Sequence, residues 1–193
     1  MRQRIVTADG FYEDPLAVRS WALSAEYENG FTKENLITQS ALEKLSYLAH
    51  NRVEAVGPLS FGHVSSTTGS RPLDPVGALP GVDWVAVVYL NLPNQAEGKT
   101  ALSLYRHLRL NSERLPDPVE MRVQGWNNLA EVKAGLVDQD GADDSCWQAW
   151  YTVYQRWNRV VLFDPEQWHR ELKGFGDTIN NCRLSQLFYL RNS

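Results

Sequence analysis

The sequence predicts a mainly β fold, an antiparallel sandwich or barrel whose few helices come early in the chain. Apolar, β-branched and aromatic residues crowd into short runs at Trp84-Val85-Ala86-Val87-Val88-Tyr89-Leu90, at Arg159 to Phe163 and at Leu187-Phe188-Tyr189-Leu190. Helical periodicity without a competing strand pattern lies in the stretch before residue 53. Strands and helices do not alternate, as repeated strand-helix-strand units would require.

Arg4-Ile5-Val6 reads as a short strand stopped by Asp9-Gly10. Asp14 then precedes Pro15, a capping residue followed by the residue best suited to a first helical position. Leu16, Val18, Trp21, Ala22 and Ala25 supply the apolar face of that helix, and Asn29-Gly30 is its expected end. Leu42, Leu45, Leu48 and Ala49 recur at helical spacing and predict a second helix over about residues 38 to 52, covering a sheet.

Small and turn-forming residues dominate from Ser65 to Gly81, with Thr67-Thr68-Gly69-Ser70 and prolines at 72, 75 and 80. A connection of that length is expected to be a functional loop or lid. After the strand at Trp84, Asn94 to Gly98 forms a turn, Ala101 to His107 the next strand, and Asp117-Pro118 another break. Residues 119 to 145 are polar, and their acidic group Asp138, Asp140, Asp143 and Asp144 reads as a solvated turn. It lacks the ordered oxygen ligands and terminal glutamate of a calcium loop. Residues 147 to 157 fit either a helix with Trp147, Trp150, Tyr151 and Tyr154 on one face or a strand with Tyr151, Val153, Gln155 and Trp157 on one face. The strand is favoured, because Arg159 to Phe163 extends the pattern after Asn158.

Length favours a single domain over residues 1–193. A net charge of -4 gives no global field for nucleic acid, so no nucleic-acid partner is expected. Cys146 and Cys182 are the only cysteines, which excludes a four-thiolate zinc site and makes a disulfide framework implausible. No signal-like segment and no apolar run of membrane-spanning length occurs, so no membrane association and a cytoplasmic location are the expectation.

The chemistry concentrates late in the chain, where His169 and Arg183 stand fourteen positions apart between two apolar runs. His169 follows the turn Asp164-Pro165-Glu166-Gln167-Trp168, and a neutral imidazole at a strand mouth suits iron, zinc or nickel. A hydrogen-bonded core histidine has the same local pattern. Arg183 opens a strand, and a guanidinium pointing inward there demands an anionic partner; a substrate carboxylate or an internal aspartate satisfies it equally well. His63, in Ser60-Phe61-Gly62-His63-Val64-Ser65, is a candidate second imidazole, with His107 and His50 as competitors. An iron site open to oxygen ordinarily adds a carboxylate, yet Ser65 stands two residues beyond His63, and Asp74 and Asp83 are the nearest downstream carboxylates. Gly98-Lys99-Thr100 lacks the glycine spacing and helical context of a phosphate loop. Ser65 and Ser66 lack a nucleophile elbow.

The segment Arg156-Trp157-Asn158-Arg159-Val160-Val161-Leu162-Phe163, then His169 and Arg183, resembles the distal half of the iron(II)/2-oxoglutarate-dependent oxygenases. The closest likeness is to the small bacterial branch related to prolyl hydroxylases. Asp9-Gly10-Phe11-Tyr12-Glu13-Asp14-Pro15 is similar to that branch's start, and Val87-Val88-Tyr89-Leu90-Asn91 with Tyr105-Arg106-His107 resembles its central hairpin.

The resemblance implies a double-stranded β-helix (jelly roll, cupin-like) with N-terminal supporting helices. It implies a dioxygenase using Fe(II), 2-oxoglutarate and O2 to oxidise, most simply to hydroxylate, a small-molecule, amino-acid or peptide substrate. His169 would be the distal iron ligand and Arg183 the residue holding the far carboxylate of 2-oxoglutarate. Tyr105 would line the cosubstrate pocket, and Asn158 would brace the strand entering the metal site. His63 approximates the proximal motif, with Asp74 or Asp83 supplying its carboxylate across the 65–81 loop. The departure from His-x-Asp leaves two alternatives: a halogenase in which halide replaces the carboxylate, or a non-catalytic cupin-like binding protein.

Overall fold

The computed structural model describes residues 5–28, 31–56, 60–64, 81–171 and 174–193; for 60–64 and 171 it describes the backbone. Its main sheet is antiparallel. β1 (Ile5–Asp9), β9 (Arg159–Phe163), β6 (Trp84–Tyr89), β11 (Arg183–Asn192) and β5 (Ser60–Val64) lie side by side in that order, and the short β3 (Phe31–Thr32) and β2 (Tyr27–Glu28) extend it beyond β5. β4 (Val53–Ala55) pairs with the far end of β11. A second antiparallel sheet holds β10 (His169–Glu171), β7 (Thr100–His107) and β8 (Trp147–Tyr154).

The alternation of side chains explains how the layers stack. Trp84, Ala86, Val88 and Leu90 join Val160, Leu162, Leu184 and Phe188 in a core shared with Val18, Ala22 and Leu45 of the helices. The intervening residues Val85, Val87, Tyr89, Val161 and Phe163 pack instead with Leu102, Leu104 and Val153 of the second sheet. Both faces of the main sheet are therefore covered, which is why its strands read as continuous apolar runs. The whole is a mixed fold of antiparallel sheets and helices, consistent with a jelly roll.

The helices arise from local signals. α1 (Pro15–Ser24) has the Asp14 carboxylate accepting from the Ala17 amide, with proline in its first turn. It stops at Ser24, earlier than Asn29-Gly30 suggested, because Tyr27–Glu28 leaves to pair with β3. α2 (Gln39–Ala49) is capped by Thr38 and closed by His50 in the left-handed region.

The polar stretch after β7 departs most from expectation. It is not a solvated turn throughout: α4 (Pro118–Val123) and α5 (Leu129–Val132) follow the one-turn α3 (Pro93–Ala96), and a π-helical segment continues over Lys133–Asp138. Asp117 accepts from the amides of Val119 and Glu120, while the Glu120 carboxylate accepts from the Asp117 amide. Val132 and Leu136 from this region pack with Leu115, Trp147 and Trp168 in a third cluster beside the second sheet.

Charge pairing pins β1 to the β8–β9 connection. The Asp9 carboxylate receives Arg159 Nε at 2.6 Å and Arg156 Nη1 at 2.8 Å. Hydrogen bonding from Arg159, and then from Arg156, lowers its pKa to about 2. A carboxylate depressed by folding stabilises above its unfolded pKa and loses that contribution as pH falls through the folded value. Stability from this pair is accordingly expected to decline from about pH 4 toward pH 2. Asp9→Asn should flatten that part of the acid unfolding profile. Because Asp9 is 42% exposed, its cost at neutral pH should stay below about 1 kcal/mol.

Candidate functional site between the two sheets

His169 begins β10, opposite Leu104 of β7. Trp168 is packed into the third cluster, so alternation turns His169 to the other side of the strand, where its ring meets the edge of Phe163 at 4.8 Å. The imidazole is 5% exposed. Its Nδ1 lies 2.7 Å from the Gln167 carbonyl oxygen. A carbonyl only accepts, so Nδ1 carries the proton, and in the neutral ring Nε2 carries the lone pair. This is the tautomer an Nε2 metal ligand needs, fixed by the backbone bond that ligating histidines commonly make.

Arg183 begins β11 at the register position facing Val64. Leu184 faces the helices, so Arg183 by parity faces the second sheet, and it is almost fully buried. Its guanidinium crosses between the layers: Nη2 donates to the Thr100 carbonyl at 2.7 Å and Nη1 to that of Ala101 at 3.4 Å. The loop before it brings a ring alongside, with the Arg183 guanidinium 5.9 Å and the Lys99 ammonium 5.8 Å from the centroid of Phe175. Gly176 makes that loop possible. Its φ is +74°, and a Cβ there would lie 2.3 Å from the Asn181 carbonyl oxygen.

β7 serves as a ruler between the two. His169 pairs with Leu104 and Arg183 reaches Ala101, three residues away, so their anchor points are about 10 Å apart along the strand. Val85, Val87, Val161, Phe163 and Leu104 form the apolar wall of the same interlayer region.

The other sequence candidates divide. The backbone of His63 lies in β5 opposite Leu184, one position from the Val64–Arg183 pair; its side chain lies outside the described residues, as do Ser65 and Asp74. The Asp83 carboxylate accepts from the Asn192 amide at 2.9 Å, beside the end of β11 remote from Arg183. Tyr105 packs against the third cluster, with the Arg170 guanidinium 5.5 Å from its ring centroid. Asn158, at φ 57°, ties the residue before β9 to the N-terminal segment: its side chain accepts from the Tyr12 amide and donates to the Tyr12 carbonyl, both at 2.8 Å.

His107 has another partner. Its fully buried ring places Nε2 2.9 Å from Asp140 and accepts the Leu110 amide at Nδ1, so Nε2 bears the proton. Arg109 donates to the same carboxylate, and the Trp147 indole donates to the Asp140 carbonyl. Asp140→Ala should leave that Nε2–H without its acceptor and lower stability in urea unfolding by about 1–3 kcal/mol.

Among the described residues, no group of three or more histidine, cysteine, aspartate and glutamate side chains could hold a metal ion. His169 and Arg183 nevertheless fit the iron and 2-oxoglutarate that the resemblance implies, through the imidazole tautomer and the buried guanidinium on one interlayer face. Further iron ligands would have to include residues outside the described set.

The antiparallel, two-layered arrangement is consistent with a jelly-roll-like class of protein, and the solved structures similar in fold include two at a TM-score of 0.50. One is the Fe(II)/(alpha)ketoglutarate-dependent dioxygenase TqaL, at a TM-score of 0.50 and 11% identity, covering 98% of this chain and 83% of that one. The other is HygX from Streptomyces hygroscopicus with nickel, 2-oxoglutarate and hygromycin B bound, at a TM-score of 0.50 and 12% identity, covering 100% and 84%. At such identity the likeness is one of fold alone, and it does not single out the prolyl-hydroxylase branch. No family model matches the chain, and no curated protein matches it in sequence.

Proposed function

We propose that the chain, as a single domain over residues 1–193, is an iron(II)- and 2-oxoglutarate-dependent oxygenase. It would couple oxidation of a substrate C–H bond, most simply hydroxylation, to conversion of 2-oxoglutarate and dioxygen into succinate and carbon dioxide. The observation that carries this reading is the pairing of a buried imidazole, its Nδ1–H tied to the Gln167 carbonyl, with a buried guanidinium on the same interlayer face. The shared fold supports it, and the sheets would close as a double-stranded β-helix.

In this reading His169 ligates iron through Nε2, and Asp74 with further residues outside the described set completes the protein ligands. Bound iron would supply the electrons and the coordination positions that dioxygen chemistry requires. Arg183 pairs with the distal carboxylate of 2-oxoglutarate, and the spacing along β7 suits a small dicarboxylate held at one end by metal and at the other by a guanidinium. Lys99 adds a second positive charge over the shared Phe175 ring. The valines of β6 and β9 with Phe163 exclude water, and a dry site strengthens the carboxylate–guanidinium attraction.

An anaerobic titration with iron(II) and 2-oxoglutarate, followed by admission of oxygen and assay of succinate, tests the proposal. Each ligand should tighten binding of the other, and succinate should form. Wild-type protein that binds neither ligand at millimolar concentration would overturn it.

A further inference from the structure

Gln167 is 1% exposed, and both polar atoms of its carboxamide, Nε2 and Oε1, are buried with no hydrogen-bond partner among the described residues. A buried amide left unpaired is disfavoured, and most such groups in folded proteins are satisfied. The fold does not need this one. The Gln167 amide donates to the Asp164 carbonyl, its own carbonyl accepts from His169 Nδ1, and the strand bridge to Arg114 is made by backbone. Gln167 lies two residues before His169, with Trp168 between them turned into the third cluster, so alternation sets Gln167 and His169 toward the same side.

We infer that the Gln167 carboxamide reads the substrate, pairing with a neutral amide, either a carboxamide or a peptide group, on the His169 side of the strand. The inference rests on the oxygenase reading only in calling that ligand a substrate. A carboxamide presents a donor and an acceptor in one plane, and its complement is a group presenting an acceptor and a donor in return. A carboxylate would bring its charge against Oε1, and an ammonium would leave Nε2 unpaired. A buried apolar surround raises the discrimination, because the wrong partner leaves the amide unsatisfied.

Two measurements on the full chain test this without iron, 2-oxoglutarate or turnover. Gln167→Met keeps the volume and removes the unpaired amide, so its Tm should equal the wild-type value or exceed it by roughly 2–4 °C. An amide held structurally by buried water predicts instead a fall of several degrees, and that result would overturn the inference. In the second measurement the Gln167 side-chain 15N–1H pair, assigned by its disappearance in Gln167→Met or Gln167→Glu, is followed during titration with N-methylacetamide and, separately, acetate. The pair should move with N-methylacetamide and stay in place with acetate. No movement with N-methylacetamide, or equal movement with both, would overturn it. Failure of wild-type protein to bind iron would sink the oxygenase reading while leaving an observed amide shift standing.

Discussion

Replacing His169 with asparagine is expected to weaken iron(II) binding by at least about 100-fold, a larger loss than the 10–100-fold typical of residues behind a metal ligand. Asparagine is the informative choice. Its side-chain amide reaches about where Nδ1 stands and can still donate to the Gln167 carbonyl, so the bond at 2.7 Å has a replacement while the distal nitrogen is lost. Alanine removes the nitrogen too, but it also opens a cavity beside Phe163, whose ring centroid lies 4.8 Å away. Comparing the two separates ligand loss from packing loss. Anaerobic calorimetry supplies the affinity and thermal unfolding the packing cost. Iron affinity unchanged in both variants would remove His169 from the site.

Arg183→Met is expected to weaken 2-oxoglutarate binding by about 10–150-fold, the equivalent of roughly 1.5–3 kcal/mol for charge-assisted hydrogen bonds. Methionine fills much of the same interlayer volume without the charge, although the carbonyls of Thr100 and Ala101 lose their donors. Iron(II) binding measured alone should persist. Arg183→Lys should fall between the two, since an ammonium keeps the charge but cannot form two parallel bonds. The same series read by thermal shift should show the increment given by saturating 2-oxoglutarate shrinking in that order. An undiminished increment in Arg183→Met would place cosubstrate recognition elsewhere.

Legibility in the sequence followed burial. The apolar runs at Trp84 and Arg159 declared themselves because they are covered on both sides, by helices and by the second sheet. Asp14-Pro15 marks α1, yet the same pair at Asp117-Pro118 resembles a simple break in local sequence although Glu120 completes a capping box there. Polar composition obscured α4 and α5, whose buried side chains are as few as Val132. For the same reason the sequence around Asp140 has the pattern of a solvated turn, although a buried histidine elsewhere in the chain needs an acceptor. His169 and Arg183 were legible as residue types flanked by strands. Gln167 was not, because turn-like sequence around it gives no hint that its amide is enclosed. The partners of His63 depend on side chains outside the described residues, and its register opposite Leu184 is a long-range pairing that local pattern does not encode.

β11 carries a consequence in time. It lies between β6 on one edge and β4 and β5 on the other, yet it follows all three in the chain. During synthesis β5 and β6 emerge with their β11-facing hydrogen-bonding edges bare, and more than ninety further residues must follow before Arg183 to Leu187 can join them. Such late, non-local closure is slow and leaves apolar strand edges open to other chains. Arg183 opens the strand that ends this exposure, so assembly of the proposed cosubstrate-binding position coincides with sealing of the sheet. A nascent chain would have no premature dicarboxylate site built on this residue.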